Sequence, residues 1–174
     1  MLNPKMQQAL NDQIKWELYS GYLYLSMSAF FAAINLEGFA NWMRVQAQEE
    51  LSHAVRFYDF VIERHRKVIL QAVEAPPSKW ASPLAAFEKT LEHELVVTSR
   101  INELADLALK TKDHATHIFL QWFVTEQVEE EANADRIIQQ LKLIGKESSG
   151  LFMLDRELGQ RVYTPPPPAG QGAP

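Results

Sequence analysis

Four glutamates stand where a helical repeat asks for core. Glu17 follows Ile14 and precedes Gly21 and Tyr24, and Glu50 lies in the row Met43, Ala47, Ala54, Phe57, Val61. Glu94 sits in the row Phe87, Leu91, Thr98, Ile101, and Glu130 among Phe123, Gln127, Ala134, Ile137 and Leu141. Each interrupts an apolar stripe on a different helical stretch. His53 is three residues after Glu50, so one turn points a carboxylate and an imidazole the same way. An isolated ionised carboxylate in a core costs several kcal/mol or takes up a proton, so four together call for positive charge. Two divalent cations would offset them, and a bridging carboxylate would let the ions share ligands. One Glu from each of two helices plus Glu-x-x-His from each of two others is how helix bundles hold paired irons. Here Glu50-x-x-His53 is complete, whereas the fourth stretch carries Gln127-x-x-Glu130, so the second ion is expected to be held more weakly.

The same residue types recur in register. An offset of 77 residues places Glu17 on Glu94, Glu49 on Glu126, Glu50 on Gln127 and His53 on Glu130. That register suggests two similar halves pointing polar groups at one central point.

The elements that must position these groups are helices. Apolar residues recur at steps of three and four, and strand-like alternation is missing. Helices are predicted over about 4–34 and 39–66, joined by the polar turn Asn35-Leu36-Glu37-Gly38. Ser82 before Pro83 starts a third helix to about residue 109, Asp113 caps a fourth ending near Gly145, and Ser148 or Ser149 opens a short fifth to about residue 159. The connection 67–81, with Pro76-Pro77, is far longer than a tight turn requires. About 15 extended residues can reach ~50 Å, enough to cross a bundle of ~40 Å helices. Two antiparallel hairpins joined by one long crossover is therefore the expected all-α architecture. One domain over 1–160 is expected, followed by a disordered proline-rich tail over 161–174 that includes TPPPPAGQGAP.

Bulk properties narrow the chemistry. The 174-residue chain contains no cysteine, which excludes disulfides, thiolate zinc sites and iron-sulfur clusters. Protein metal ligands are then carboxylate, amide or imidazole, favouring hard or borderline metals. A net charge of -5 and no terminal Lys/Arg cluster argue against nucleic acid as a partner. The N-terminus lacks the apolar segment of a secretory signal, so the cytoplasm is the expected compartment. Residues 18–34 carry no charge but are short for a membrane span and broken by Ser20, Gly21, Ser26 and Ser28. No membrane association is expected; the second apolar face of this helix should be covered by another subunit, making the chain a homo-oligomer.

Trp16-Glu17, the run Gln48-Glu49-Glu50-Leu51-Ser52-His53 and the run 120–131, LQWFVTEQVEEE, resemble bacterial non-haem ferritins, and the likeness spans nearly Met1 to Leu158. The resemblance implies a ferritin-like four-helix bundle with ferroxidase activity. It implies Glu17, Glu50 and His53 on the first iron, Glu50 bridging, and Glu94 and Glu130 on the second, with Gln127 a near neighbour. It further implies a third iron site at Glu49, Glu126, Glu129 and Glu130, and Tyr24 beside the centre as an electron donor, with Trp122 a second candidate. Fe(II) would be oxidised by O2 or hydrogen peroxide and stored as mineral in a shell of 24 subunits. Haem is not expected, because Leu51 stands where the family's haem-binding members carry methionine. The rivals are a di-iron enzyme that stores nothing, and a non-enzymatic shell or DNA-protecting mini-ferritin. His65 reads as a surface residue near a helix end, and His93, His114 and His117, lacking matched partners, read as structural.

Overall fold

The computed structural model describes residues 2–145 and 147–165; all of the tail from residue 166 lies outside them. The described residues form five helices: α1 (Pro4–Ala33), α2 (Glu37–Glu63), α3 (Pro83–Lys110), α4 (His114–Ile144) and α5 (Ser148–Leu158). Their ends follow from local chemistry. The Asn3 side chain accepts from Lys5 N, Ser82 from Ala85 N and Asp113 from Thr116 N, with proline at the start of α1 and α3. Asn35 and His65 adopt left-handed backbone with φ of 59° and 57°, which stops α1 and α2 slightly before the predicted limits. His65 is exposed, as its sequence reading expected.

α1 packs against α2 and α3 against α4, forming two antiparallel hairpins. The segment 67–81 joins them by crossing the bundle alongside α1. Gln7 donates to Lys67 O at 2.9 Å and Asn11 accepts from Ile69 N at 2.9 Å. Further along, Lys15 pairs with Glu74 at 2.7 Å and Ser26 donates to Pro77 O at 2.6 Å. Trp80 then meets Phe30 edge-on at 5.4 Å. These anchors run from residue 7 to residue 30 of α1, about 35 Å at the helical rise.

The core is divided in two. One apolar cluster includes Tyr24, Phe31, Phe39, Phe87, Ile137 and Leu154; the other includes Leu10, Ile14, Phe57, Ile101, Leu120 and Phe123. On every helix of the bundle the interrupting glutamate lies between the residues that serve the two clusters. The acids therefore form a polar waist between two dry halves, which fix its height by packing.

α5 caps the bundle through α2. Gly38 N and Phe39 N donate to Asp155 Oδ1 at 2.8 and 3.1 Å, placing a carboxylate at a helix N-terminus where its charge is favoured. Gly38 is required there, because an added Cβ would lie 1.6 Å from the Asp155 carbonyl oxygen. Beyond α5, Arg161 returns to α2, its guanidinium 4.4 Å from the Trp42 ring centre.

Large apolar side chains remain exposed, including Tyr22 and Leu25 on α1 and Leu51, Val55, Tyr58 and Ile62 on α2. The latter four recur at steps of four, three and four, one stripe of the helix. No described helix is long and apolar enough to cross a membrane.

Candidate metal centre

Close approach of α1 and α2 builds the first half of the site. A Cβ at Gly21 would lie 3.3 Å from Ala47 O and 3.6 Å from Glu50 Cβ, so the missing side chain lets the helices come together one turn from Glu17. Glu17, Glu50 and His53 each offer a ligand atom within 4.8 Å of the others, and all three are buried. His53 Nδ1 lies 3.9 Å from Glu17 Oε2 and 3.6 Å from Glu50 Oε2, too far for hydrogen bonds. Gln13 donates to Glu17 Oε1 at 2.8 Å, while Glu17 Oε2 is buried without a hydrogen-bond partner among the described residues. A buried acceptor left bare costs free energy that a bound cation would recover.

The second half comes from α3 and α4. The Tyr24 hydroxyl donates to Glu94 Oε1, and Gln127 Nε2 donates to Glu94 Oε2 at 3.2 Å. Gln127 also reaches Thr98 Oγ1 at 3.3 Å. The two halves are joined by Gln46, whose Nε2 donates to Glu130 Oε2 at 2.7 Å and reaches Glu50 Oε1 at 3.4 Å.

The acids share one electrostatic predicament. Burial, followed by the Glu50 charge, pushes Glu17 well above the usual carboxylate range. Burial and then the Glu94 charge do the same to Glu50, and burial with the charges of Glu94 and Glu50 to Glu130. Burial also raises Glu94, against the opposing bonds from Tyr24 and Gln127. Tyr24 itself is raised by burial and then by Glu94. Burial thus favours the protonated acids, whereas a divalent ion would favour the ionised ligands that burial disfavours.

The outer acids are arranged differently. Glu49 and Glu126 are half-buried and Glu129 is exposed. The Glu49 carboxylate pairs with Arg161 at 2.5 Å; burial raises it while Arg161 opposes that rise. Trp122 sits edge-on to His53 at 5.3 Å. His93 bonds to Ser20 at 2.7 Å, and burial lowers its pKa to about 4, with Lys89 adding to the effect. That bond stands beside a surface cavity of about 430 Å³ bounded by Trp16, Tyr19, Glu74, Lys89 and His93. His114 is exposed and His117 half-buried at the start of α4.

Sequence reasoning singled out every acid of the waist but not Gln13, Gln46 or Arg161. A signal existed for the two glutamines: each stands four residues before a waist glutamate, Gln13 before Glu17 and Gln46 before Glu50, one turn away on the same face.

A family model described as the ferritin-like domain matches residues 7–144. The chain belongs to the ferritin family. It is 43% identical over 161 residues to a bacterial non-heme ferritin of Bacteroides fragilis (strain 638R), covering 92% of this chain and 100% of that protein. Identity to the bacterial non-heme ferritin of Escherichia coli O157:H7 is 41% over 158 residues, 91% of this chain and 96% of that protein. Among solved structures, an open pore ferritin from the hyperthermophilic archaeon Archaeoglobus fulgidus superposes with a TM-score of 0.93 at 57% identity, covering 93% of this chain and all of that one. The expected architecture, a ferritin-like four-helix bundle with a long crossover and a short fifth helix, is the one found. The chain is an iron-storage ferritin.

Proposed function

We propose that the polar waist is a ferroxidase centre that oxidises the iron the protein stores. The observation that carries this reading is the buried triad Glu17, Glu50 and His53 within 4.8 Å, whose Glu17 Oε2 has no hydrogen-bond partner among the described residues. Imidazole plus carboxylate oxygens, without thiolate, suit iron as the substrate ion.

Glu17, Glu50 and His53 take the first Fe(II), Glu50 bridges to the second, and Glu94 and Glu130 complete the second position. Gln127 is a near neighbour that holds Glu94 rather than a strong ligand, because an amide brings no charge. Each Fe(II) gives up one electron; O2 receiving two electrons and two protons becomes hydrogen peroxide, and peroxide receiving two more with two protons becomes water. Tyr24, bonded to Glu94, lies where its phenol can deliver a further electron and proton. Fe(III) then passes by Glu49, Glu126, Glu129 and Glu130, a third position, towards the storage space, where it hydrolyses and mineralises.

The family implies a cytoplasmic shell of 24 copies of this chain, and the exposed apolar side chains of α1 and α2 are surfaces that such neighbours would cover. The Archaeoglobus fulgidus relative is described as an open pore ferritin, so shell architecture as well as size is to be measured here, by light scattering and electron microscopy of the apoprotein.

The test of the centre is the double substitution Glu50→Ala with His53→Ala. Fast Fe(II) oxidation, followed by absorbance after mixing with air-saturated buffer, is expected to disappear while helical content and assembly persist. Fast oxidation in a folded double variant would refute the assignment.

A further inference from the structure

Arg161 lies outside the helices yet touches two of the residues on which the centre depends. Its main-chain oxygen accepts from Asn41 Nδ2 at 2.9 Å, which pins the segment after α5 to α2. Its side chain lies over Trp42, donates from one terminal nitrogen to Gln46 Oε1 at 2.8 Å, and from the other to Glu49 Oε2 at 2.5 Å. Guanidinium has only donors, so the bond to Gln46 settles which end of that amide faces outward. The Oε1 end meets Arg161, and the Nε2 end is left to donate to Glu130 at 2.7 Å and towards Glu50 at 3.4 Å. The same fork neutralises Glu49, a carboxylate standing beside the ligand Glu50.

We propose that Arg161 is a positioning residue for the centre and the counter-ion of its exit: its fork aims Gln46 at Glu50 and Glu130, and its charge occupies Glu49 until a cation displaces it. This rests on the reading of Glu49 as a ligand on the outward path of iron. A cation arriving at Glu49 must compete with a guanidinium already bound there. The third ion is thereby held weakly, as a transit position requires. Fork and charge are separable, because lysine keeps the positive charge but cannot hold two acceptors with one planar group.

The experiment titrates the apoprotein with Zn(II) alone, a redox-silent ion, by calorimetry, and with Co(II) by visible absorption, in the wild-type chain and in Arg161→Gln, Arg161→Lys and Glu49→Gln. Two ions per chain are expected to bind first, then a weaker third. Removing the positive charge in Arg161→Gln should tighten the third by about tenfold, a modest fraction of the Coulomb energy of such a pair because it is partly exposed. Arg161→Lys should leave the third ion within about twofold of wild type but alter the Co(II) spectrum of the first two, because Gln46 is no longer aimed. Glu49→Gln should lose the third ion, and this variant with Arg161→Lys keeps the test open should Arg161→Gln fail to fold. Equal third-ion affinity in Arg161→Gln and wild type, an unchanged Co(II) spectrum in Arg161→Lys, or a third ion surviving Glu49→Gln would overturn the proposal while leaving the centre intact. Failure of Zn(II) to bind, or undiminished binding of the first two ions in Glu50→Ala with His53→Ala, would overturn the ferroxidase reading and the proposal together.

Discussion

The Tyr24 hydroxyl donates to Glu94 across the interface of α1 and α3, so a fully buried phenol and a buried carboxylate hold each other in the waist. Tyr24→Phe deletes the donor and keeps the ring. Fe(II) oxidation is expected to slow by about tenfold, the scale of one hydrogen bond to a charged group, with Zn(II) binding at Glu17, Glu50 and His53 unchanged. Stopped-flow oxidation beside Zn(II) calorimetry separates the two effects; unaltered oxidation kinetics would remove Tyr24 from the reaction.

The raised acids make apoprotein stability depend on pH with a definite sign. Glu17, Glu50, Glu94 and Glu130 hold protons more tightly folded than unfolded. Their contribution is complete below the unfolded carboxylate pKa of about 4.5 and is lost as pH rises through their higher folded values. His93 acts in the opposite sense: its folded pKa is about 4, so its contribution is present above the unfolded value of about 6.5 and lost as pH falls towards about 4. The difference in Tm between Zn(II)-loaded and apo protein cancels His93, which is common to both. That difference is expected to widen steadily from about pH 5.5 to 8, and a flat difference by scanning calorimetry would contradict the shared burial of the four acids.

Gly38 tests the seat of α5. With the Asp155 carbonyl 1.6 Å from the place a Cβ would take, Gly38→Ala must push α5 away from the start of α2. A loss of about 3 kcal/mol is expected, as for a forced overpacking, together with exposure of Leu154 and Leu158. Chemical denaturation measures the loss. Limited proteolysis after residue 145 should report the freed helix, and wild-type resistance would argue against this docking.

Asp113 joins the α3–α4 turn to the end of α2. Its carboxylate accepts from Thr116 N at 3.2 Å and from Arg64 at 3.0 Å. Asp113→Ala removes a cap and an ion pair at once, for an expected cost of about 2 kcal/mol. Fe(II) oxidation should remain unchanged, because the waist is several helical turns away along α4.

Helical periodicity, the caps at Ser82 and Asp113 and the long segment 67–81 gave the bundle, because these signals are local or depend only on chain length. Glu17, Glu50, Glu94, Glu130 and His53 were legible for a related reason: an acid inside an apolar stripe is anomalous whatever lies opposite. Gln13 and Gln46 carried only a weak signal, their place one turn before Glu17 and Glu50. The same spacing occurs on a solvated helix face, and only packing shows that Gln13 reaches Glu17 and that Gln46 also reaches Glu130 on another helix. Gln127 stood out through the 77-residue offset and as the departure from Glu-x-x-His on the fourth helix, neither of which could show that its amide holds Glu94. Arg161 lay hidden in what composition marked as tail. Its partners Trp42, Gln46 and Glu49 are more than 110 residues earlier in the chain, and a contact of that span exists only once α5 has folded back onto α2. The sequence by itself thus determined the helices and the acids that a dry core cannot tolerate uncompensated. The tertiary structure decided which neutral and cationic side chains orient those acids, because that depends on distances between helices that no local pattern encodes.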